Sequence, residues 1–287
     1  MRKREYWLLV TPSLVVMVGL LALPLYRTIE WSLQRVSYGD PGTFVGLSNY
    51  TAALTDPRFG RAVVFTVGLT LVVTAILVVL GYLLAIAVNR LRRMRPLVLG
   101  LLLLSYVIPG LVGATMFSWL FDTNFGGPLD LLISRITGQH FLWLTDTWPN
   151  RVVLTLNIVW FMLPFAMLVI LAGLQSVSPD VLEAAKIDGA RSFRLHWNVI
   201  IPSVRGVVGF VVLISLMDVV RVFDPLIPLS PQATAIGNES ITYYIFNVAF
   251  ANGGQQLGLG SAVNVLLTII IGIILVPSIR ATIREGA

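Results

Sequence analysis

The sequence contains no cysteine. Disulfides, thiolate zinc sites, iron–sulfur clusters and cysteine nucleophiles are therefore excluded, while the compartment is left open. Histidine is scarce: His140 and His196 are far apart and in different loops, so no His-based metal site is expected. Lysine occurs only as Lys3 and Lys186, and neither follows glycine. The Gly-Lys-Ser/Thr phosphate loop is thus missing, and the chain cannot hydrolyse ATP itself. Gly-x-Ser-x-Gly, His-Glu-x-x-His and paired catalytic histidines are missing too, so no catalytic residues are assigned. Charge is also sparse. Only 12% of residues are charged, about half the share of a soluble domain.

What remains is apolar. Hydrophobic residues make up 56% of the 287, and the mean hydropathy is +0.86. A soluble fold of this size cannot enclose that much apolar surface, so the chain is read as a membrane protein. The net charge is +6 with a pI near 10. With no basic, aromatic-interleaved patch, this charge reflects membrane topology rather than nucleic-acid binding.

Six apolar stretches are long enough to cross a bilayer, which takes about 20 residues each. They cover residues 7–25, 62–88, 96–121, 152–174, 207–226 and 257–279. The first follows Arg2, Lys3 and Arg4 and resembles a signal peptide in its flank. Its apolar run is too long for an h-region and no small-x-small site follows, so it is read as a retained helix. With the N-terminus inside, the cytoplasmic segments hold thirteen basic residues and the external ones six. The cluster Arg90, Arg92, Arg93, Arg95 lies in a short loop, where the positive-inside rule is strongest. The expected fold is all-α, with six transmembrane helices in one domain, 1–287, and both termini cytoplasmic. The external loops, rich in Gly, Pro, Asn and Asp, read as turns, for example Gly39-Asp40-Pro41-Gly42 and Asn124-Phe125-Gly126-Gly127-Pro128.

Residues 176–205 form one long polar-leaning loop between spans four and five. Ser178 before Pro179 reads as an N-cap with proline at the first helical position. Asp180 and Glu183 suit the helix dipole in the first turn. Leu182, Ala185 and Ile187 make a short apolar face, and Gly189 ends the helix. A second short helix carries Phe193, Trp197, Ile200 and Ile201, and Pro202 closes it. Such apolar surface wants a partner protein or lies flat on lipid.

The pattern Glu183-Ala184-Ala185, Gly189, then Val199-x-Ile201-Pro202, with Asp188 and Ala190, resembles the signature loop of binding-protein-dependent ABC importer permeases. The loop stands between spans four and five of six, as in that family. The resemblance implies a type I importer transmembrane domain in which 176–205 carries the coupling helices. It assigns ATPase coupling to Glu183, Ala184, Ala185, Asp188, Gly189 and Pro202, with Glu183 as polar anchor and Gly189 as the turn between helices. A plain helix stop is compatible with that role for Gly189. Asp188 reads equally as a local cap or as a partner contact. The implied partners are a second homologous permease, two ATP-binding subunits that carry ATP and Mg, and an extracytoplasmic solute-binding protein. No cofactor is expected on this chain itself.

Further segments resemble the first permease of carbohydrate-type importers, the branch of the maltose, glycerol-3-phosphate and trehalose systems. They are Thr11-Pro12-Ser13-Leu14, Phe44-Val45-Gly46-Leu47-Ser48-Asn49-Tyr50, Leu54-Thr55-Asp56-Pro57-Arg58-Phe59, Trp119-Leu120-Phe121-Asp122 with Gly126-Gly127-Pro128, and Val222-Phe223-Asp224. After Asp224, relatives usually carry Gly-Gly-Pro, where this chain has Pro228-Leu229-Ser230-Pro231-Gln232.

Within the spans, Asp218, Arg221 and Asp224 follow at i, i+3 spacing, one face of a helix. Intramembrane charges are costly and face a bundle interior or water. They either contact a polyhydroxylated solute or form a structural ion pair. Asn157, Trp160, Tyr106 and Asn264 are further pathway candidates, since sugar sites combine amide bonds with aromatic faces; each serves equally as interhelical packing. Pro109 and Gly110 are expected to break span three. The expected function is a translocation subunit for a sugar or sugar-like solute in the bacterial inner membrane, in contact with lipid. The alternative is an ion-driven secondary transporter using Asp218 and Asp224.

Overall fold

A computed structural model describes residues 3–39, 41–91, 93–190, 193–251 and 255–286. The expectations placed on Arg2, Asp40 and Arg92, and on Arg191 as one of the thirteen basic residues counted as cytoplasmic, lie outside the described residues. The elements are α1 (Lys3–Ser32), β1 (Gln34–Arg35), β2 (Thr43–Phe44), α2 (Ser48–Thr55), α3 (Pro57–Arg90), α4 (Arg95–Val107), α5 (Gly110–Leu120) and α6 (Pro128–Thr137). They continue with α7 (Thr147–Ser176), α8 (Pro179–Ile187), α9 (Phe193–Leu195), a π turn (His196–Ile200), α10 (Ile201–Ser203) and α11 (Arg205–Val220). Last come α12 (Leu226–Leu229), α13 (Ala233–Ile236), α14 (Ile241–Phe246), a second π turn (Asn247–Ala251) and α15 (Leu257–Gly286).

Among the described residues, four helical segments are long and apolar enough to span a bilayer unaided: Val10–Ser32, Pro57–Arg90, Thr147–Ser176 and Leu257–Val276. Two more pass only as bent pairs. Arg95–Val107 and Gly110–Leu120 meet at 96°, and Phe193–Ser203 and Arg205–Val220 at 69°. Proline explains both bends. Pro109 lacks the donor that would continue the ladder, and its ring pushes Ile108 into extended backbone at φ −69, ψ 130. Pro202 likewise leaves the carbonyl of Asn198 without its helical donor. The chain passes through the π turn just before it and swings at Val204, φ −106, ψ 10. The fifth apolar stretch ends earlier than its hydropathy suggests. Expected to run to Leu226, its helix stops at Val220. A helix through Pro225 would set the proline ring against the carbonyl of Arg221.

The chain divides into two compact units: residues 1–60 with 241–270, and 61–240 with 271–287. In the first, β1 and β2 pair antiparallel, Gln34 opposite Phe44 and Arg35 opposite Thr43. Asn49 donates through Nδ2 to the carbonyls of Ser32 and Gln34, both at 2.9 Å, and the Tyr50 hydroxyl meets that of Ser32 at 2.7 Å. Asp56 accepts the backbone N–H of Arg58 at 2.8 Å and the hydroxyl of buried Tyr244 at 2.7 Å. The two loop motifs Phe44–Tyr50 and Leu54–Phe59 thus owe their residue types to closing this end of α1 and α14.

In the second unit α7 is the central helix. Val153, Leu154, Ile158, Met167, Ile170 and Leu171 along it are buried, and it packs against α4, α5 and α11. Close crossings use small residues: a Cβ on Gly173 would stand 3.0 Å from Cγ1 of Val207. The first turn of α7 carries a buried polar network. Asn150 donates to the carbonyl of Leu229 at 2.6 Å, and its Oδ1 accepts from Ser230 Oγ at 2.6 Å and Asn238 Nδ2 at 3.0 Å. Asn238 Oδ1 accepts from Arg151 Nε at 2.7 Å. The segment Pro228-Leu229-Ser230-Pro231-Gln232 is therefore anchored by Ser230 and the Leu229 carbonyl. Segments read as plain loops contain α2, α6 and α12–α14; they are short, and their apolar runs are too brief to register as helices.

Candidate functional site

A cavity of about 370 Å³ lies in the second unit, bordered by the break at Pro109, by α7 and by the C-terminal end of α11. Tyr106, Asn157, Trp160, Asp218 and Arg221, five of the six pathway candidates, line it, and Asp224 joins them. Asn264 does not: it sits exposed on α15, in the first unit.

Asn157 is only 3% exposed, yet its side-chain amide has no hydrogen-bond partner among the described residues. The amide atoms are not sealed off but open on the cavity, free to bond to what enters it. One turn on, Trp160 lies half-buried with its ring 5.3 Å from Phe117, and Gly113 leaves room for it: a Cβ there would be 3.0 Å from the indole. Tyr106 stacks on Phe165 at 6.1 Å and 15° and leans on Phe161 at 5.8 Å. One amide and several aromatic faces thus look into the same space.

The charged residues are arranged differently from the helical-face expectation. Asp218 and Arg221 do pair, at 3.3 Å, and Arg221 also donates through Nε to the carbonyl of Met217 at 3.0 Å. Arg221, however, caps α11, and Asp224 lies beyond the helix, so the three do not continue one helical face. Asp224 instead reaches the broken third stretch: its Oδ2 is 3.7 Å from where a Cβ on Gly110 would be. That places a carboxylate beside the N-terminal turn of α5, where unpaired N–H groups and the helix dipole favour negative charge.

The signature segment forms two short helices joined by an elbow. α8 starts at Pro179 with Ser178 in the capping position, though the Ser178 side chain makes no capping bond. Gly189 has φ +82, the left-handed backbone that favours glycine. Asp188 holds the C-cap, its N–H donating to the carbonyl of Ala184 at 3.0 Å. Glu183 is exposed and has no hydrogen bond or ion pair among the described residues. The apolar face differs from the expected one. Leu182 and Ala185 turn inward, while Ile187, two residues past Ala185 and so on another side of the helix, is 86% exposed. Phe193 and Trp197 stack on each other at 5.9 Å and 10°, and both are exposed. Pro202 sits in α10, immediately before the bend.

His196, dismissed as a metal ligand, has another role. Its Nδ1 lies 3.0 Å from the hydroxyl of Tyr82 on α3 and ties the second short helix to that helix. Burial, helped by the charge of Arg90, pulls its pKa below the ordinary histidine value. Tyr82 stands 114 residues away, and no sequence signal links the two.

This architecture has close counterparts. It superposes with a TM-score of 0.84 on the crystal structure of a bacterial alginate ABC transporter in complex with an alginate pentasaccharide-bound periplasmic protein, at 18% identity, over 96% of this chain and 93% of that one. The fold is that of an ABC transporter membrane subunit. Residues 77–283 match the binding-protein-dependent transport system inner membrane component family, and the chain belongs to it. It is 31% identical over 268 residues to the inner membrane ABC transporter permease protein YcjO of Escherichia coli K12, covering 92% of this chain and 89% of that protein. It is 32% identical over 270 residues to the trehalose transport system permease protein SugA of Mycobacterium tuberculosis, covering 92% and 84%. With the trehalose/maltose transport system permease protein MalF of Thermococcus litoralis the identity is 27%, covering 92% and 89%. The chain is thus a multi-pass inner-membrane permease of an ABC importer, a transport subunit and not an enzyme, and the ion-driven alternative finds no support.

Proposed function

We propose that this chain translocates a sugar or sugar-like solute, and that the solute passes through the cavity lined by Asn157, Trp160 and Tyr106. The observation that carries the reading is the Asn157 amide, without a partner among the described residues and open on a cavity that aromatic rings also line. A pyranose ring offers hydroxyls for the amide and apolar C–H faces for the rings. Relatives named for trehalose and maltose transport support the solute class. In this reading the four straight helices, the pair broken at Pro109 and α11 make six spans with both termini cytoplasmic. The segment 176–205 then projects into the cytoplasm, within a chain that acts as one translocation domain.

There, Glu183, Ala184, Ala185, Asp188, Gly189 and Pro202 meet an ATP-binding subunit. The unpaired carboxylate of Glu183 and the exposed Ile187, Phe193 and Trp197 support that contact. Two ATP-binding subunits hold ATP and Mg, a second permease completes the pathway, and a solute-binding protein delivers cargo from outside. Arg221 and Asp218 keep each other neutral beside the cavity. The test is solute-stimulated ATPase of the reconstituted complex with each candidate sugar on its cognate binding protein. Stimulation by a sugar that is lost in Asn157→Ala is expected; stimulation by no sugar, or none lost in that variant, overturns the assignment.

A further inference from the structure

The short helix α6 faces the wrong way for a loop surrounded by water. Its one acidic side chain, Asp130, is 2% exposed and accepts a hydrogen bond from the indole N–H of buried Trp143 at 2.8 Å. Of its five aliphatic side chains, Leu131, Leu132 and Ile136 point outward, Ile136 being 75% exposed, while Leu129 and Ile133 are half-buried. Arg135, between them, is exposed and has no ion pair among the described residues. The outer surface of this helix is therefore apolar, with a single positive charge.

Its placement is not loose. α6 follows α5 through a tight turn in which Asp122 Oδ1 accepts the N–H groups of Asn124 and Phe125, and the Asp122 carbonyl accepts that of Gly127 at 2.7 Å. A Cβ on Gly127 would collide with the carbonyl of Leu120, so the two chain segments are pressed together there. The α5 end carries exposed Trp119, and the turn carries Phe125, 84% exposed. An aromatic at the end of a membrane span marks the level of the headgroups. The exposed apolar surface of α6 thus continues the exposed apolar residues of α5, Val112, Met116 and Trp119, and its lone cation suits an anionic phosphate.

We propose that α6 lies flat in the lipid headgroup layer on the side of the membrane reached by the end of α5, with Leu131, Leu132 and Ile136 toward the acyl chains and Arg135 on lipid phosphates. A helix of ten residues is about 15 Å long, enough for two to three turns of contact at the depth typical of interfacial helices. It fixes the mouth of the α5 segment to the bilayer surface.

The absence of native cysteine makes the test clean. Nitroxide labels are placed at Leu132→Cys and Ile136→Cys, with Gln139→Cys as the water reference, in the assembled complex reconstituted in vesicles of phosphatidylethanolamine and phosphatidylglycerol. Expected at 132 and 136 are collisions with oxygen several-fold more frequent than with an aqueous nickel chelate, and the reverse at 139. Nickel accessibility at 132 and 136 equal to that at 139 puts the helix in water and overturns the proposal. Exclusion of both reagents puts a protein subunit on this face and overturns it as well. The substituted side chains are exposed, so folding is not at stake, and the ATPase of the labelled complex verifies assembly. Because the readout uses neither solute nor nucleotide, it stands or falls separately from the sugar assignment.

Discussion

Two buried asparagines on α7 separate structure from function at the level of single residues. Asn150 is fully buried, and both ends of its amide are used. Asn150→Ala would leave the Ser230 hydroxyl and the Leu229 carbonyl without their Asn150 partner, while Asn238 keeps its bonds to Thr147 and Arg151, and a loss on the order of 3 kcal/mol is expected. Thermal unfolding of the purified complex, read as a drop in Tm, checks it. The Asn157 amide has no partner among the described residues and opens on the cavity, so Asn157→Ala breaks no internal hydrogen bond. Its expected signature is an unchanged or raised Tm together with solute-stimulated ATPase weakened by about tenfold in apparent solute affinity, the worth of roughly one hydrogen bond. A fall in Tm equal to that of Asn150→Ala would make Asn157 a structural residue.

Elements respond through the backbone and through one titrating contact. Gly189 occupies left-handed backbone, and Gly189→Val at that position costs about 1–2 kcal/mol in the elbow between α8 and α9. Hydrogen exchange across 179–203 should quicken in this variant while α7 stays protected. The Tyr82–His196 contact adds a pH dependence. The folded pKa of His196 is depressed, so the neutral ring is the bound form. The contact's stability is present above the unfolded histidine value of about 6.5 and is lost as pH falls through the window below it, because the unfolded state takes up the proton first. Exchange protection of 193–203 should therefore fall on acidification, and His196→Gln should flatten that response.

At the scale of the whole molecule, the chain works only within an assembly. It carries no phosphate loop, and it belongs to a family of inner-membrane transport components. Glu183→Ala, at an exposed side chain without an internal partner, should leave the fold and Tm of the chain unchanged. The expected effect is weakened retention of the ATP-binding subunits and loss of solute-stimulated ATPase. Co-purification with stimulation both intact in Glu183→Ala would remove the proposed anchor.

The membrane class, the apolar stretches, the proline break at Pro109 and the family were all legible in the chain itself. Hydrophobic runs, proline geometry and the Glu183-Ala184-Ala185/Gly189 motif are local patterns, set by residues a few positions apart. So was the short helix ended by Gly189, since a cap depends only on its neighbours. Tertiary structure decided which polar groups meet. It gathered Tyr106, Asn157, Trp160, Asp218 and Arg221 around one cavity and left Asn264 on the other unit. It took Asp224 off the helical face and placed it against Gly110. It paired Asn150 with Ser230 and His196 with Tyr82, across 80 and 114 residues. It also turned Asp130 inward and Leu131 and Leu132 of α6 outward. Hydropathy reports how much apolar surface a segment carries. Which side of that segment meets a neighbour depends on where helices end and bend, and that is settled only when the distant parts of the chain pack together.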